Sequence, residues 1–327
     1  MAGDPVITSA GRSPSTAKGE NVTATPPWPG TLAGMDPDTE LTINAYLDEW
    51  LLLTRTRVRR STCATYQRML DAYIRPHIGS LLLAELTVRH LDRLYVELLT
   101  GGGRGGRRLA QRTVAHTHAV LHKALADGVA LELVATNVAS RAHVPKHDPD
   151  APAAPSRLVC WDEEETRQFL AATSEDVLHG MWRVALGTGM RRGELLGLRW
   201  EDVDLVDHQL RVTSSLTAVD GVMHLDRPKT GRSRTLHLDP STAAALGREP
   251  CDRDTSGHDL VFTRSDGTPW PPSQITDRWR GQWPRLAHVE IPKIRLHATR
   301  HVHATLLLAR GVPSRSSRNA SDTPRLR

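Results

Sequence analysis

The segment His143–Arg157, HVPKHDPDAPAAPSR, places four prolines in fifteen residues and shows no amphipathic repeat. Proline lacks a backbone donor and its ring clashes with the preceding helical turn, so neither a continuous helix nor a central strand can cross this stretch. The 327-residue chain must therefore fold as two bodies, which agrees with a typical domain size of roughly 150 residues. The linker is set at residues 143–157.

Upstream of the linker, order is expected from about residue 39. Residues 1–38 are rich in Ser, Thr, Pro and Gly without apolar periodicity and read as a disordered lead. In TINAYLDEWLLL the apolar residues Ile43, Tyr46, Leu47, Trp50 and Leu51 recur at helical spacing. A second helix is expected after a Ser61 cap, with Tyr66, Met69, Leu70 and Tyr73 on its buried face, stopping at Pro76. Thr87 caps a third helix, VRHLDRLYVELL, which ends in the loop GGGRGG, and Gln111–Leu131 forms a fourth. Residues 39–142 are thus a small all-helical domain.

Beyond the linker, residues 158–313 begin as helix near Trp161–Glu165 and continue through Met181–Leu186 and Gly193–Trp200. The period then changes. LRVTSSLTAV and RTLHL alternate, and KTGR between them has hairpin composition, which predicts a small antiparallel sheet. Helix returns at Ser273–Trp283 and His297–Ala309. The fold class is mainly α with a small antiparallel β-sheet.

Lys and Arg number 42 against 37 Asp and Glu, a formal charge of +5. The excess is uneven: 15 basic against 9 acidic residues between Glu40 and Lys146, 8 against 1 from Ile291 to Arg327, and 17 against 23 between these stretches. Basic flanks of this kind favour anionic partners. The three cysteines, Cys63, Cys160 and Cys251, are too few and too scattered for a disulfide framework or a Cys-rich zinc site. No run approaches a membrane span, and MAGDPVITSAGRSPST lacks the basic start and apolar run of a secretion signal. The expectation is a soluble, cytoplasmic protein.

Three segments carry residues suited to phosphate chemistry. They are Arg191 in GTGMRRGELLGLRW, Lys229 in RPKTGRSRTLHL, and Arg300, one helical turn after His297, in HATRH. Guanidinium groups meet the non-bridging oxygens of a phosphorus transition state with paired, charge-assisted hydrogen bonds. A lysine can protonate a departing alkoxide, and a histidine can relay a proton or bind phosphate. Singly, these residues read better as solvated charge, a turn and a helix cap. His297, His301 and His303 also include an i, i+4 chelate spacing, but no suitably spaced carboxylate or thiol accompanies them and Arg300 between them opposes a cation.

The ordered combination decides. GTGMRRGELLGLRWEDVDL, PKTGRSRTLHL and LHATRHVHATLLLARGVP resemble the signatures of the tyrosine recombinase (phage integrase) family, T-G-x-R-x-x-E-L-x-x-L-x-W-x-D-[IV], P-K-T-x-x-S-R and H-x-x-R-H-[TS]-x-A-T-x-L. STCATYQRMLDAYIRPHIGSLLLAELT resembles the family's helical, SAM-like core-binding domain, so the likeness runs from about residue 40 to 313. It implies an α+β catalytic domain after the linker. In it Arg191 and Arg300 clamp the phosphate, Lys229 protonates the leaving 5′-oxygen and His297 is the first active-site histidine. It further implies site-specific recombination of double-stranded DNA through a 3′-phosphotyrosyl link, with no metal or other cofactor, and full-length relatives acting as a tetramer on paired sites. Within that reading, Arg55, Arg57, Arg59 and Arg60 contact the DNA backbone.

The last residues depart from the family. After GVP the family continues to L-G-H and then a helix with the nucleophilic tyrosine, whereas residues 314–327 read SRSSRNASDTPRLR. All four tyrosines, Tyr46, Tyr66, Tyr73 and Tyr95, lie in the first third. One permitted codon set for Ser316–Arg325, read two bases later, spells V-S-E-R-L-G-H-A-S, which resembles the family's tail. The expectation is a frameshift just after Pro313 and a chain without its own nucleophile. The rival expectation is a non-catalytic DNA-binding protein or remnant that occupies attachment sites; a metal hydrolase built on the His297 cluster is a third.

Overall fold

The computed structural model describes residues 6–7, 41–144, 159–229, 231–251 and 257–312. The chain divides into two compact units, Arg12–Ala154 and a second made of Met1–Gly11 with Pro155–Arg327. The expected linker lies almost wholly outside the described residues, as does the tail beyond residue 312. Of the lead, Val6–Ile7 is described, and it forms a short strand rather than unstructured chain. Two backbone-paired residues on a sheet edge need no apolar periodicity, so composition carries no sign of them.

In the first unit, α1 (Ile43–Arg55) is capped by the Thr42 hydroxyl, which accepts from the Ala45 N–H at 3.3 Å. It buries Ile43, Tyr46, Leu47, Trp50 and Leu51, the five residues its spacing selects. The next helix departs from expectation at both ends. Its first segment, α2 (Arg60–Met69), starts after Arg59, so Ser61 lies inside the first turn. It passes through one π-helical turn, Leu70–Ile74, into α3 (Arg75–Ile78), with Pro76 in the first turn of α3. The Arg75 N–H bonds the Leu70 carbonyl five residues back, and this widened turn carries the helix past Pro76, which has no N–H to donate, without a break. Thr87 forms a capping box with His90 and starts α4 (Val88–Thr100), and α5 spans Gln111–Ala130. Trp50 donates to Asp127 at 2.7 Å and the Tyr46 hydroxyl donates to the Ala124 carbonyl, fixing α1 against α5.

In the second unit, Asp162 and Glu165 form a capping box that starts α6 (Glu163–Ala172). Helix α7 (His179–Thr188) follows and ends at Gly189, which takes the left-handed conformation at φ 62°. Helix α8 is only Arg192–Leu196, shorter than expected, because the chain turns at Gly197 and Arg199 then bridges to Leu260. The β region is two three-stranded antiparallel sheets rather than one. The first strand, β1 (Val6–Ile7), belongs to one of them. The others are β2 (Val203–Asp204), β3 (Gln209–Val212), β4 (Ser215–Val219), β5 (Val222–Asp226) and β6 (Arg234–His237). Their orders are β2-β3-β6 and β1-β5-β4.

The tight hairpin joins β4 to β5 through Asp220-Gly221, both at positive φ, the backbone a two-residue hairpin loop requires. KTGR instead lies on the connection from β5 in one sheet to β6 in the other. After α9 (Pro240–Leu246), helix α10 (Pro272–Arg280) ends at Gly281 and α11 (Gln282–Arg285) follows as a separate turn. Helix α12 (Thr299–Ala309) packs on α7, with His297 in a 3-10 turn, Leu296–Ala298, just ahead of it.

Trp161, Phe169, Trp182, Trp279 and Trp283 form the aromatic centre of this unit. Trp279 has ring centroids 4.9 Å from Phe169 and 5.2 Å from Trp182, and its Nε1 donates to the Ile294 carbonyl at 2.8 Å. That bond holds the segment leading into His297 against α10. Trp279→Ala should therefore destabilise the second unit by about 3–5 kcal/mol, measured by denaturant unfolding followed at the remaining tryptophans.

Candidate phosphate-binding site

The site starts from a buried carboxylate. Glu194, in α8, is 1% exposed, and each of its oxygens accepts two hydrogen bonds. Oε1 takes Arg191 Nη1 at 2.9 Å and Arg234 Nη1 at 3.1 Å, while Oε2 takes the Arg191 backbone N–H at 2.8 Å and Arg234 Nη2 at 2.5 Å. A carboxylate offers about four lone-pair positions, so this one is saturated. Burial alone would raise the Glu194 pKa, but the hydrogen bonds from Arg234 and from the Arg191 N–H outweigh it and hold the group below its ordinary value. Glu194 stays charged and anchors two arginines.

The third arginine arrives from α12. Arg300 donates to the carbonyl of Gly189, two residues before Arg191. Burial lowers its proton affinity, Arg191 and Arg234 lower it further, and Glu194 opposes them. The His297 imidazole is likewise pushed below its usual range, first by burial and then by Arg300, His301 and Arg191. Arg191, Arg300 and His297, drawn from segments about a hundred residues apart in sequence, thus share one electrostatic neighbourhood with Arg234 and Glu194. Three arginines against one carboxylate leave an excess of positive charge, with guanidinium donors of Arg191 not engaged by Glu194. This is the arrangement an oxyanion needs.

Lys229 is not part of this cluster. It lies exposed on the connection from β5 to β6, and no contact among the described residues ties it to Arg191 or Arg300. Arg55, Arg57, Arg59 and Arg60 are all exposed, at the end of α1, in the turn and at the start of α2. Sequence reading missed Glu194 and Arg234. The signal was available in the carboxylate three residues after Arg191 and in the arginine that closes the RSR run, but charged side chains on a polar-looking segment read as surface. No group of three or more His, Cys, Asp or Glu among the described residues is placed to hold a metal. His297 and His301 stand edge to face with ring centroids 6.2 Å apart.

Residues 161–320 match the Phage integrase family, and residues 42–99 match the phage integrase N-terminal SAM-like domain. The chain belongs to the phage integrase family. A tyrosine recombinase XerC-like protein of Caldanaerobacter subterraneus is 28% identical over 181 residues, covering 48% of this chain and 45% of that protein. The chain thus spans less than half of that relative. Two solved structures share the fold. The Tn1549 transposon integrase in complex with a circular intermediate DNA has a TM-score of 0.67 at 17% identity, covering 85% of this chain and 90% of that one. A lambda integrase tetramer bound to a Holliday junction has a TM-score of 0.64 at 16% identity, covering 88% and 77% respectively. No helix among the described residues is long and apolar enough to cross a membrane.

The joint between α7 and α12 is tightly packed. A Cβ on Gly189 would lie 3.0 Å from His303 Cδ2, and the left-handed backbone disfavours any L side chain there. Gly189→Ala should cost roughly 1–2 kcal/mol for the conformation alone, with a further cost from displacement of His303, read by thermal unfolding. His303 and His179 line a cavity of about 800 Å³ shared with Leu306 and Leu307, which are half-buried rather than fully exposed. Burial is the first cause that lowers the pKa of each histidine, joined by Arg300 for His303 and by Arg183 for His179. The unfolded chain therefore takes up these protons first, at about pH 6.5. Stability should be full above that pH and fall as the pH drops toward the folded-state values. Thermal unfolding between pH 7.5 and 5 checks this, and His303→Gln should flatten the slope.

Proposed function

We propose that this integrase-family chain binds double-stranded DNA and clamps one backbone phosphate with Arg191, Arg300 and His297. The observation that carries the reading is that Arg191, held on the Glu194 carboxylate, Arg300, held on the Gly189 carbonyl, and His297 lie within electrostatic reach of one another. The excess of positive charge matches the charge that gathers on non-bridging oxygens when a phosphate is attacked. In the recombination chemistry of the family, a tyrosine hydroxyl attacks phosphorus, the 5′-oxygen leaves with a proton, and a 3′-phosphotyrosyl bond preserves the linkage for rejoining. Lys229 would donate that proton once DNA draws its connection toward the site. Arg55, Arg57, Arg59 and Arg60 would hold the backbone electrostatically.

The covalent step needs a tyrosine, and the supply within these residues is unfavourable. All four tyrosines belong to the helical unit. The Tyr95 hydroxyl is bonded to His118 Nδ1 at 2.8 Å and that of Tyr46 to a backbone carbonyl, and burial, foremost, pushes both phenols well above their ordinary pKa. We infer that these 327 residues bind DNA without cleaving it unless another chain provides the nucleophile.

Fluorescence anisotropy on duplex DNA should show affinity falling steeply with salt. Neutralising Arg55, Arg57, Arg59 and Arg60 together should reduce the logarithmic salt slope by about one unit for each phosphate that these arginines neutralise. On a nicked suicide duplex, no SDS-resistant protein–DNA adduct should form. Salt-insensitive binding would overturn the DNA-clamp reading, and an adduct mapped to any of the four tyrosines would overturn the non-covalent one.

A further inference from the structure

We propose that Arg234 is a positioning residue whose two-pronged hold on Glu194 keeps the Arg191 guanidinium free to bind phosphate. The inference rests on the phosphate-clamp reading and deepens it, because Arg234 itself need not touch the anion.

Glu194 is buried next to Arg191 on the same short helix, so an unopposed carboxylate would be the strongest competitor for the Arg191 fork. A guanidinium and a carboxylate prefer a bidentate arrangement with two parallel N–H···O bonds. Here that arrangement is taken by Arg234, whose Nη1 and Nη2 meet the two Glu194 oxygens. Arg191 is left with a single side-chain bond, Nη1 to Oε1, plus the bond from its own backbone N–H. Its remaining guanidinium N–H groups are therefore not spent on Glu194. Arg191 keeps 35% of its side chain exposed, whereas Arg234 keeps 16% and Glu194 1%. The exposed member of the trio is the one with donors to spare, and the buried members hold each other.

Arg234 is suited to this by its place in the fold. It opens β6 and pairs with Val212 in β3, so the hydrogen-bonded ladder of a sheet fixes its backbone. Arg191 sits at the start of a five-residue helix, and Arg300 is on a third element. The sheet thus delivers the counter-charge for Glu194 from a side independent of both phosphate ligands. Without Arg234, Oε2 would lose its side-chain partner and the Arg191 fork would rotate to span both oxygens. The clamp would then lose donors through a change at a residue outside it.

The test uses the full chain with inorganic phosphate as the probe, followed at the Arg191 Nε–H resonance by NMR, with thermal unfolding run in parallel. Arg234→Gln should weaken phosphate binding about tenfold. Arg234→Lys keeps the charge but not the fork, and should also bind clearly more weakly than the wild type. The double variant Glu194→Gln/Arg234→Gln removes the competing carboxylate together with its partner. It leaves no unpaired buried charge to prevent folding, and should bind phosphate at least about threefold more tightly than Arg234→Gln, though short of wild type because the Glu194 anchor is lost. A merely structural role for Arg234 would not produce that recovery. Wild-type affinity in Arg234→Lys, or a double variant as weak as Arg234→Gln, would overturn the proposal. If the wild type binds phosphate no better than Arg191→Ala does, the clamp reading itself fails and this inference falls with it.

Discussion

The buried Glu194 carboxylate ties together the elements around the proposed clamp. Glu194 accepts from Arg191 on its own helix and from Arg234 on a strand, so one carboxylate joins α8 to the β2-β3-β6 sheet. Breaking a buried pair by removing one partner leaves an uncompensated ion, which is far more costly than removing the pair as a whole. That asymmetry makes the local structure intolerant of rearrangement. The backbone of Arg191 has little freedom either, because its N–H is a donor to the same carboxylate. The first arginine of the proposed clamp is therefore preorganised by an interaction directed away from the phosphate.

The second arginine is held by different means. Arg300 binds a backbone carbonyl rather than a carboxylate, so its charge is oriented without being neutralised. The carbonyl belongs to Gly189, whose left-handed conformation ends α7 and turns the chain toward Arg191. Glycine serves two needs at this position. It accepts the positive φ, and it leaves room for His303, which a Cβ would meet at 3.0 Å. The α7–α12 contact and the spacing of the two arginines are thus one structural fact. The aromatic centre supports it from below, since Trp279 holds the Ile294 carbonyl and Trp161 the Pro292 carbonyl, both in the segment that leads into His297.

What the sequence makes legible here is mostly local. Spacing picks out the buried face of α1 residue by residue, Thr87 announces the start of α4, and α5 ends within one residue of its expected limit. These depend on neighbours three or four positions away, which periodicity captures. The partition of the strands into two sheets depends on β6 choosing β3 over β5, a pairing across more than twenty residues that no local pattern encodes. The Asp220-Gly221 turn is legible in principle, because Asp-Gly between alternating segments is a strong hairpin signal; KTGR has similar composition and competes with it for the same role. The π turn that carries α2 past Pro76 has no comparable signature. At the site, motif resemblance locates Arg191, Arg300 and His297, and the fold brings them together. It does not indicate that Glu194 is buried or that Arg234 is its principal partner, since burial of a charged residue is a property of the packed state.

The cluster is overcharged as it stands. Glu194 offsets one of three guanidinium charges, and the remainder stand close enough that Arg191 and Arg234 both lower the proton affinity of Arg300. Like charges held together raise the energy of the unliganded protein, and the fold sustains them through the Glu194 anchor and the Gly189 carbonyl. An anion entering between Arg191 and Arg300 would relieve that repulsion while meeting donors already in place. Binding and folding are then linked: an anion that binds the folded cluster stabilises the second unit. The same repulsion argues against a metal cation beside His297, because a cation would add to the positive charge that the fold already works to contain.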